Sequence, residues 1–260
     1  MLITRSAPRM FLALCAFLAA DFDARAERLI TSLSQESVKI TSNFTGTEIV
    51  VFGSIERDAA TVARASGYDV IITVSGARHP VVARRKERTF GLWINRTSHE
   101  FYQVPSFYSL NSNRPVTEIS TKKVLERQQI GIDNLLLLAN VTPEIQEEVA
   151  SFRESLLRLR RSKTLFAERT GAVEFLSSSL FRTTIPLPAI VPVGEYRVDI
   201  FLFRGGALLA NNSRALEVRK TGFEQIVYNL AHENALIYGI ATIVLALTTG
   251  WLAGVIFRKD

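Results

Sequence analysis

The chain has 260 residues, with 31 Lys or Arg against 25 Asp or Glu, a formal charge of +6 and a single cysteine. One cysteine excludes a disulfide framework and leaves no thiolate cluster for zinc. The positive surplus is mild and spread along the chain, so it reads as solubility with a bias toward anionic partners.

Residues 1–26 read as an export leader. Arg5 and Arg9 form a basic start, 10–20 are an apolar run of 11 residues, too short to span a bilayer, and Ala24-Arg25-Ala26 fits an A-x-A cleavage pattern. The mature chain is therefore expected to begin at Glu27. Leu14 stands before Cys15 where a lipoprotein signal needs a small residue, so lipidation is not expected. Removing the leader takes away three basic residues, two acidic residues and the cysteine, which leaves +5. The body must then be held by its core.

Residues 27–140 read as a β region. VKI (38–40), TEIVVFGSI (47–55), YDVIITVSG (68–76), PVVARRK (80–86) and TFGLWIN (89–95) are short, rich in β-branched and aromatic residues, and separated by turn formers. Further strands are expected near 99–104 and 132–138. About seven strands at this spacing predict an immunoglobulin-like antiparallel β-sandwich, without a Cys–Trp–Cys framework to make it specific. Two stretches within it could make contacts. In ARRKER, Arg84, Arg85 and Lys86 form a candidate anion or partner patch, set against a plain exposed hairpin. In VPSFYSLNSNRP (104–115), Phe107 and Tyr108 stand among turn formers, as core anchors of a long loop or as a recognition loop.

The period changes at Thr142. Residues 141–170 predict an amphipathic helix with Thr142 as N-cap, Pro143 at its first position, and Ile145, Val149, Phe152, Leu156 and Leu159 on one face. The pair Glu147-Glu148 falls on its solvated face. Residues 171–222 return to strands, with Gly205-Gly206 as a hairpin turn; these strands either pack on the first β region or complete it. Phe223, Ile226, Val227, Leu230 and Ala231 then form an amphipathic lead, on a membrane surface or under the β body.

Residues 235–257 hold no charge over 23 positions, which as a helix spans roughly 34 Å. Arg258 and Lys259 follow and, with Asp260, leave a short tail expected in the cytoplasm. The reading is a single-pass membrane protein with an extracytoplasmic body, which argues against a nucleic-acid role. Ala246, Gly250 and Gly254 recur every four residues, a small-residue face on which another helix could pack, from a polytopic membrane protein or from a second copy.

The chain holds few patterns that carry chemistry. SLN (109–111), STKK (120–123) and KTG (220–222) occur in the wrong order for a serine acyltransferase. His79, His99 and His232 lack a second ligand three or four residues away, and no nucleotide-binding glycine pattern is present. No enzymatic activity, metal or cofactor is expected.

VKITSNFTGTEIVVFG (38–53), VVARRKERTFGLWIN (81–95), VPSFYSLNSNRP, IGIDNL (130–135), LFRTTIPLPAIVPVGEY (180–196) and GWLAGVIFRK (250–259) resemble, in order, the alphaproteobacterial putative transmembrane protein family. Residues 58–69 are less typical of it. The resemblance implies a bacterial inner-membrane protein with a periplasmic domain and no assigned activity. It also implies an accessory role beside a polytopic permease of the sulfite/sulfonate-exporter type; the alternative, a periplasmic module for an anion or envelope ligand, rests on Arg84, Arg85 and Lys86.

Overall fold

The computed structural model describes residues 27–56 and 67–256, without the side chains of 223–226 and 229. The expected leader, residues 58–66 and the 258–260 tail lie outside them.

Alternation builds the first sheet. In β3 (Gly46–Glu56), Ile49, Val51, Gly53 and Ile55 turn inward between outward-facing neighbours. In β11 (Leu180–Pro188), Phe181, Thr183, Ile185 and Leu187 do the same. The two strands pair antiparallel, and β1 (Arg28–Leu33) and β10 (Val173–Phe175) flank them in the order β1-β3-β11-β10. Phe181 sits opposite Gly53, and a Cβ there would lie 2.1 Å from its ring. Gly53 is thus the space that Phe181 fills.

The second sheet runs β2 (Ser37–Ile40), β13 (Ala207–Lys220), β12 (Gly194–Arg204), β4 (Asp69–Ser75), β7 (Tyr108–Ser112) and β9 (Phe166–Thr170). Strands from both expected β regions stand side by side in both of these sheets, so the later strands complete the earlier ones. The sheet is mixed rather than purely antiparallel: β2 runs parallel to β13, and β9 parallel to β7. Every residue of β7, and all of β4 except half-buried Ser75, is buried, which requires cover on both faces. The first sheet covers one. Asn111 reaches across to it, its Nδ2 donating to Thr183 Oγ1 at 2.7 Å and to the Thr184 carbonyl at 3.0 Å. Tyr108, three residues earlier in β7, points the other way. There its hydroxyl accepts from the Gly131 amide at 2.9 Å.

That second face is covered by a segment not expected from the sequence: α1 (Val116–Ile119), α2 (Lys122–Arg127) and a 3-10 turn, Ile132–Asn134, which bury Ile119, Leu125 and Ile132. Of the strand expected at 132–138 only the two-residue β8 (Leu138–Ala139) remains. Next comes α3 (Gln146–Ser162), preceded by a 3-10 turn at Pro143–Ile145. The helix is shorter than the expected 141–170, because Thr164 turns at φ 55° into strand β9. Thr142 makes no side-chain cap. Val149, Phe152, Leu156 and Leu157 are buried, whereas Leu159 is turned out.

Two sheets and their helical cover make a mainly β body. After β13, α4 (Phe223–Glu233) breaks at Asn234 before α5 (Ala235–Ile256), so the two are not one continuous rod. Among the described residues, α5 alone is long and apolar enough to cross a membrane, with a mean hydropathy of 1.9.

Two outcomes test this architecture. Gly53→Val forces Phe181 out of its seat and costs about 1–3 kcal/mol by overpacking, while Phe181→Ala costs about 3–5 kcal/mol, both read from denaturation of the full chain. Asp69 begins β4. Burial by itself would raise its pKa, but bonds from Arg114 (2.6 Å) and Asn113 (3.1 Å), with the Arg114 charge, outweigh it and hold the carboxylate below its usual range. A depressed folded pKa gives stability that is present above the unfolded value, about 3.9, and is lost as pH falls through the folded one. Asp69→Asn is expected to be less stable at neutral pH and to lose that acid-dependent component in a pH series of melts.

Candidate functional site: the β5–β6 arm

β5 (Arg78–Thr89) and β6 (Leu92–Pro105) form an antiparallel hairpin, edged among the described residues by β8 at Phe101 and Tyr102. The stretches expected as separate strands at 80–86, 89–95 and 99–104 are parts of these two. TFGLWIN is not one strand; a turn divides it. Thr89 pairs with Leu92, and Phe90 and Gly91 form the two-residue loop with φ of 49° and 84°. Positive φ at both positions is the type I′ pattern. The β12–β13 hairpin uses the same pattern, φ 56° and 87°, at the expected Gly205-Gly206. There two glycines adopt it without strain. In the arm a phenylalanine takes the first position, where a Cβ is costly.

The arm is anchored at its base. Phe101 and Val104 are buried, and Val81 and Ala83 pack against the core. The helix α3 lies on the same face. Arg85 is held there, its guanidinium 4.7 Å above the Phe152 ring, 3.9 Å from the Glu148 carboxylate and 3.4 Å from Ser151 Oγ. His99 sets its ring edge-on to Phe152 at 4.8 Å and points Nε2 at Glu148, 3.5 Å away. Glu148 is therefore not simply a solvated face residue; with Phe152 it ties α3 to the arm. A groove of about 330 Å³ runs between β5 and α3, with Val81, Arg84, Arg85, Phe152, Leu156 and Leu159 in its lining. This is where Leu159 faces.

The tip has no such support. Phe90 is 102% exposed, Leu92 70%, Trp93 68% and Ile94 43%. Alternation along β5 separates Arg85, on the α3 face, from Arg84, Lys86 and Arg88 on the other. Trp93 shares the latter face, because it pairs with Arg88. None of these three cations makes an ion pair among the described residues, although Arg96 lies 3.7 Å from Glu87. The expected patch of Arg84, Arg85 and Lys86 is thus split: Arg85 is engaged within the chain, while Arg84 and Lys86 face solvent with Arg88.

Phe107 and Tyr108 are not surface contacts. They are 1% and 2% exposed and lead into a central strand instead of a recognition loop. Phe107 packs on Tyr196, ring centroids 5.8 Å apart. Burial raises the Tyr108 phenol well above its usual pKa, so it stays protonated and bonded. The three sequence patterns tested for serine chemistry are dispersed. Ser109 and Asn111 are inside β7. Ser120 Oγ donates to the Gly206 carbonyl at 2.7 Å, at the start of β13, and Lys220-Thr221-Gly222 lies at the far end of that 14-residue strand. Among the described residues no group of three or more potential ligands could hold a metal. Ala246, Gly250 and Gly254 lie on α5; no atom stands within 4 Å of where a Cβ of either glycine would be.

The tip was missed in the sequence because Phe-Gly is not a familiar I′ signature. The signal that could have found it is the break in alternation at Phe90, Leu92, Trp93 and Ile94: four large apolar residues within five positions fit neither a half-buried strand nor a turn. Phe90→Asn restores the favoured Asn-Gly pair and is expected to raise stability by up to about 1 kcal/mol in denaturant unfolding, because it removes left-handed strain and no intrachain contact.

No curated protein and no solved structure matches the chain. One family model does, by residues 28–259, which take in the β body, the arm and α5. The chain belongs to the putative transmembrane protein family Alph_Pro_TM.

Proposed function

We propose that this is a single-pass inner-membrane protein with a periplasmic β body, acting as a non-enzymatic accessory subunit of a polytopic membrane protein, for instance an exporter-type permease. The observation that carries the reading is α5, whose 22 residues span a membrane's thickness while the chain itself buries none of its most apolar window. Its small-residue face is open for another helix to approach closely, at Ala246, Gly250 and Gly254. The orientation rests on Arg258 and Lys259 after the span and on the leader before the body.

The architecture favours a platform. We read the order β1-β3-β11-β10 as the A-B-E-D sheet of an immunoglobulin-type sandwich, and β2-β13-β12-β4-β7 as its A′-G-F-C-C′ sheet. Tyr196, near the start of β12, donates its hydroxyl to the Pro192 carbonyl at 2.6 Å, the geometry of a tyrosine corner. Such a sandwich supports function through what is grafted on it, and here the graft between β4 and β10 includes the arm.

A second reading, a module for an anionic ligand of the envelope, is favoured by Arg84, Lys86 and Arg88 on one open face. Gly250→Leu with Gly254→Leu tests the first reading. The double variant is expected to insert normally but to lose its polytopic partner on affinity purification from mild detergent with mass spectrometry. Undiminished recovery of the partner, or a clean parent protein with no companion, contradicts it; recovery only of a second copy assigns the face to a homodimer.

A further inference from the structure

The tip of the arm is strained and solvated in the chain by itself. Phe90 holds a left-handed conformation at the apex and touches no core. The register places Leu92 and Ile94 on one face of the ribbon and Trp93 on the other. Apolar side chains therefore point in three directions from one narrow end. A flat protein surface receives one face of a ribbon and leaves the other wet. A fluid interface surrounds all of it.

Behind the tip, Arg88, Lys86 and Arg84 step back along the Trp93 face, about 7 Å apart at alternate positions of a strand. Aromatic rings at an end with cations just behind match the apolar-to-headgroup boundary of a bilayer, and the charge matches anionic lipid. The depth is limited as well. Beyond Phe101 and Tyr102 the ribbon has no third strand among the described residues, so its outer N–H and C=O groups need water and cannot enter hydrocarbon. The chain belongs to a transmembrane family and carries a helix long and apolar enough to cross a membrane, which is the reason to test a bilayer as the arm's partner.

We propose that the β5–β6 tip is a membrane-interface wedge, in which Phe90, Leu92, Trp93 and Ile94 enter the headgroup region of an anionic bilayer while Arg84, Lys86 and Arg88 bind its headgroups. The wedge gives the anion-binding reading a ligand and is independent of the packing of α5.

The chain has two tryptophans, and Trp251→Phe leaves Trp93 as the sole reporter. The full-length variant is placed in nanodiscs of phosphatidylcholine, alone or with phosphatidylglycerol, and vesicles of either composition are added to the first kind. Blue-shifted Trp93 emission and quenching by acyl-chain-brominated lipid are expected only where anionic lipid is present, with weakening at high salt. The two arms separate the protein's own bilayer from an opposing one. Replacing Arg84, Lys86 and Arg88 by Gln is expected to lower the ratio of inserted to free tip by about a hundredfold, which is about 3 kcal/mol at about 1 kcal/mol per charge. Phe90→Asn, which leaves the hairpin at least as stable, is expected to reduce insertion too. Red emission that acrylamide quenches equally in every bilayer overturns the proposal, and so does insertion that survives the triple replacement. Shielding of Trp93 only when a co-purified protein is present assigns the arm to a protein partner instead. None of these outcomes bears on co-purification through Gly250 and Gly254, so the two readings fail separately.

Discussion

The fold depends on one requirement: β4 and β7, in the second sheet, must be covered on both faces. Val70, Ile72 and Val74 alternate with Ile71 and Thr73, and both sets are buried. One set meets the first sheet, where Asn111 bonds to Thr183 and Thr184 across the interface. The other set faces away from the first sheet. The long excursion between β4 and β10 supplies that cover, with Ile119, Leu125, Ile130 and Ile132 over it and Tyr108 tied to Gly131. An unpaired polar group in such a place costs on the order of 1–3 kcal/mol, so these bonds select one register and one arrangement of the cover.

The arm follows from the same excursion. Its base is core, because Phe101 and Val104 are needed there, and α3 locks it through Phe152, Glu148, Arg85 and His99. Its outer half has left the core behind. A two-stranded ribbon is marginal in water by itself. This one is steadied from below and ends in an exposed Phe-Gly turn. Rigid support under a strained apolar end is a sensible division of labour for contact with something outside the chain. It also explains why Arg85 and Arg84, adjacent in sequence, do different work: one belongs to the anchor and one to the open face.

What was legible in the sequence was whatever obeys a local period. The uncharged run at 235–257, the strand over 47–55, the Gly-Gly turn and most of the α3 stripe could all be read from local pattern. The failures have physical causes. VPSFYSLNSNRP looks like a loop because Ser and Asn are turn formers, yet Ser109, Asn111 and Ser112 sit at the centre of a sheet. Asn111 is tolerated there because its Nδ2 donates to Thr183 Oγ1, 72 residues away, and to the Thr184 carbonyl. TFGLWIN hid a turn because its first residue is not Asn or Asp. The register of β3 with β11 and the parallel pairs β2–β13 and β7–β9 are long-range choices that no window contains. Leu159 obeyed the helical period but faces the groove, while Leu157 took the buried place because α3 is flanked on two sides.

The central claim is that the arm's tip is covered in the native membrane. Cysteine substitution can read this directly, since the only natural cysteine is Cys15, in the expected leader. Phe90→Cys and Trp93→Cys variants, beside Lys39→Cys on the exposed side of β2, would be labelled in intact membranes with a membrane-impermeant maleimide, before and after detergent solubilisation. Slow labelling at both tip positions that becomes as fast as at Lys39→Cys once detergent is added is the predicted result. Tip positions that label as fast as Lys39→Cys in the intact membrane would contradict the account.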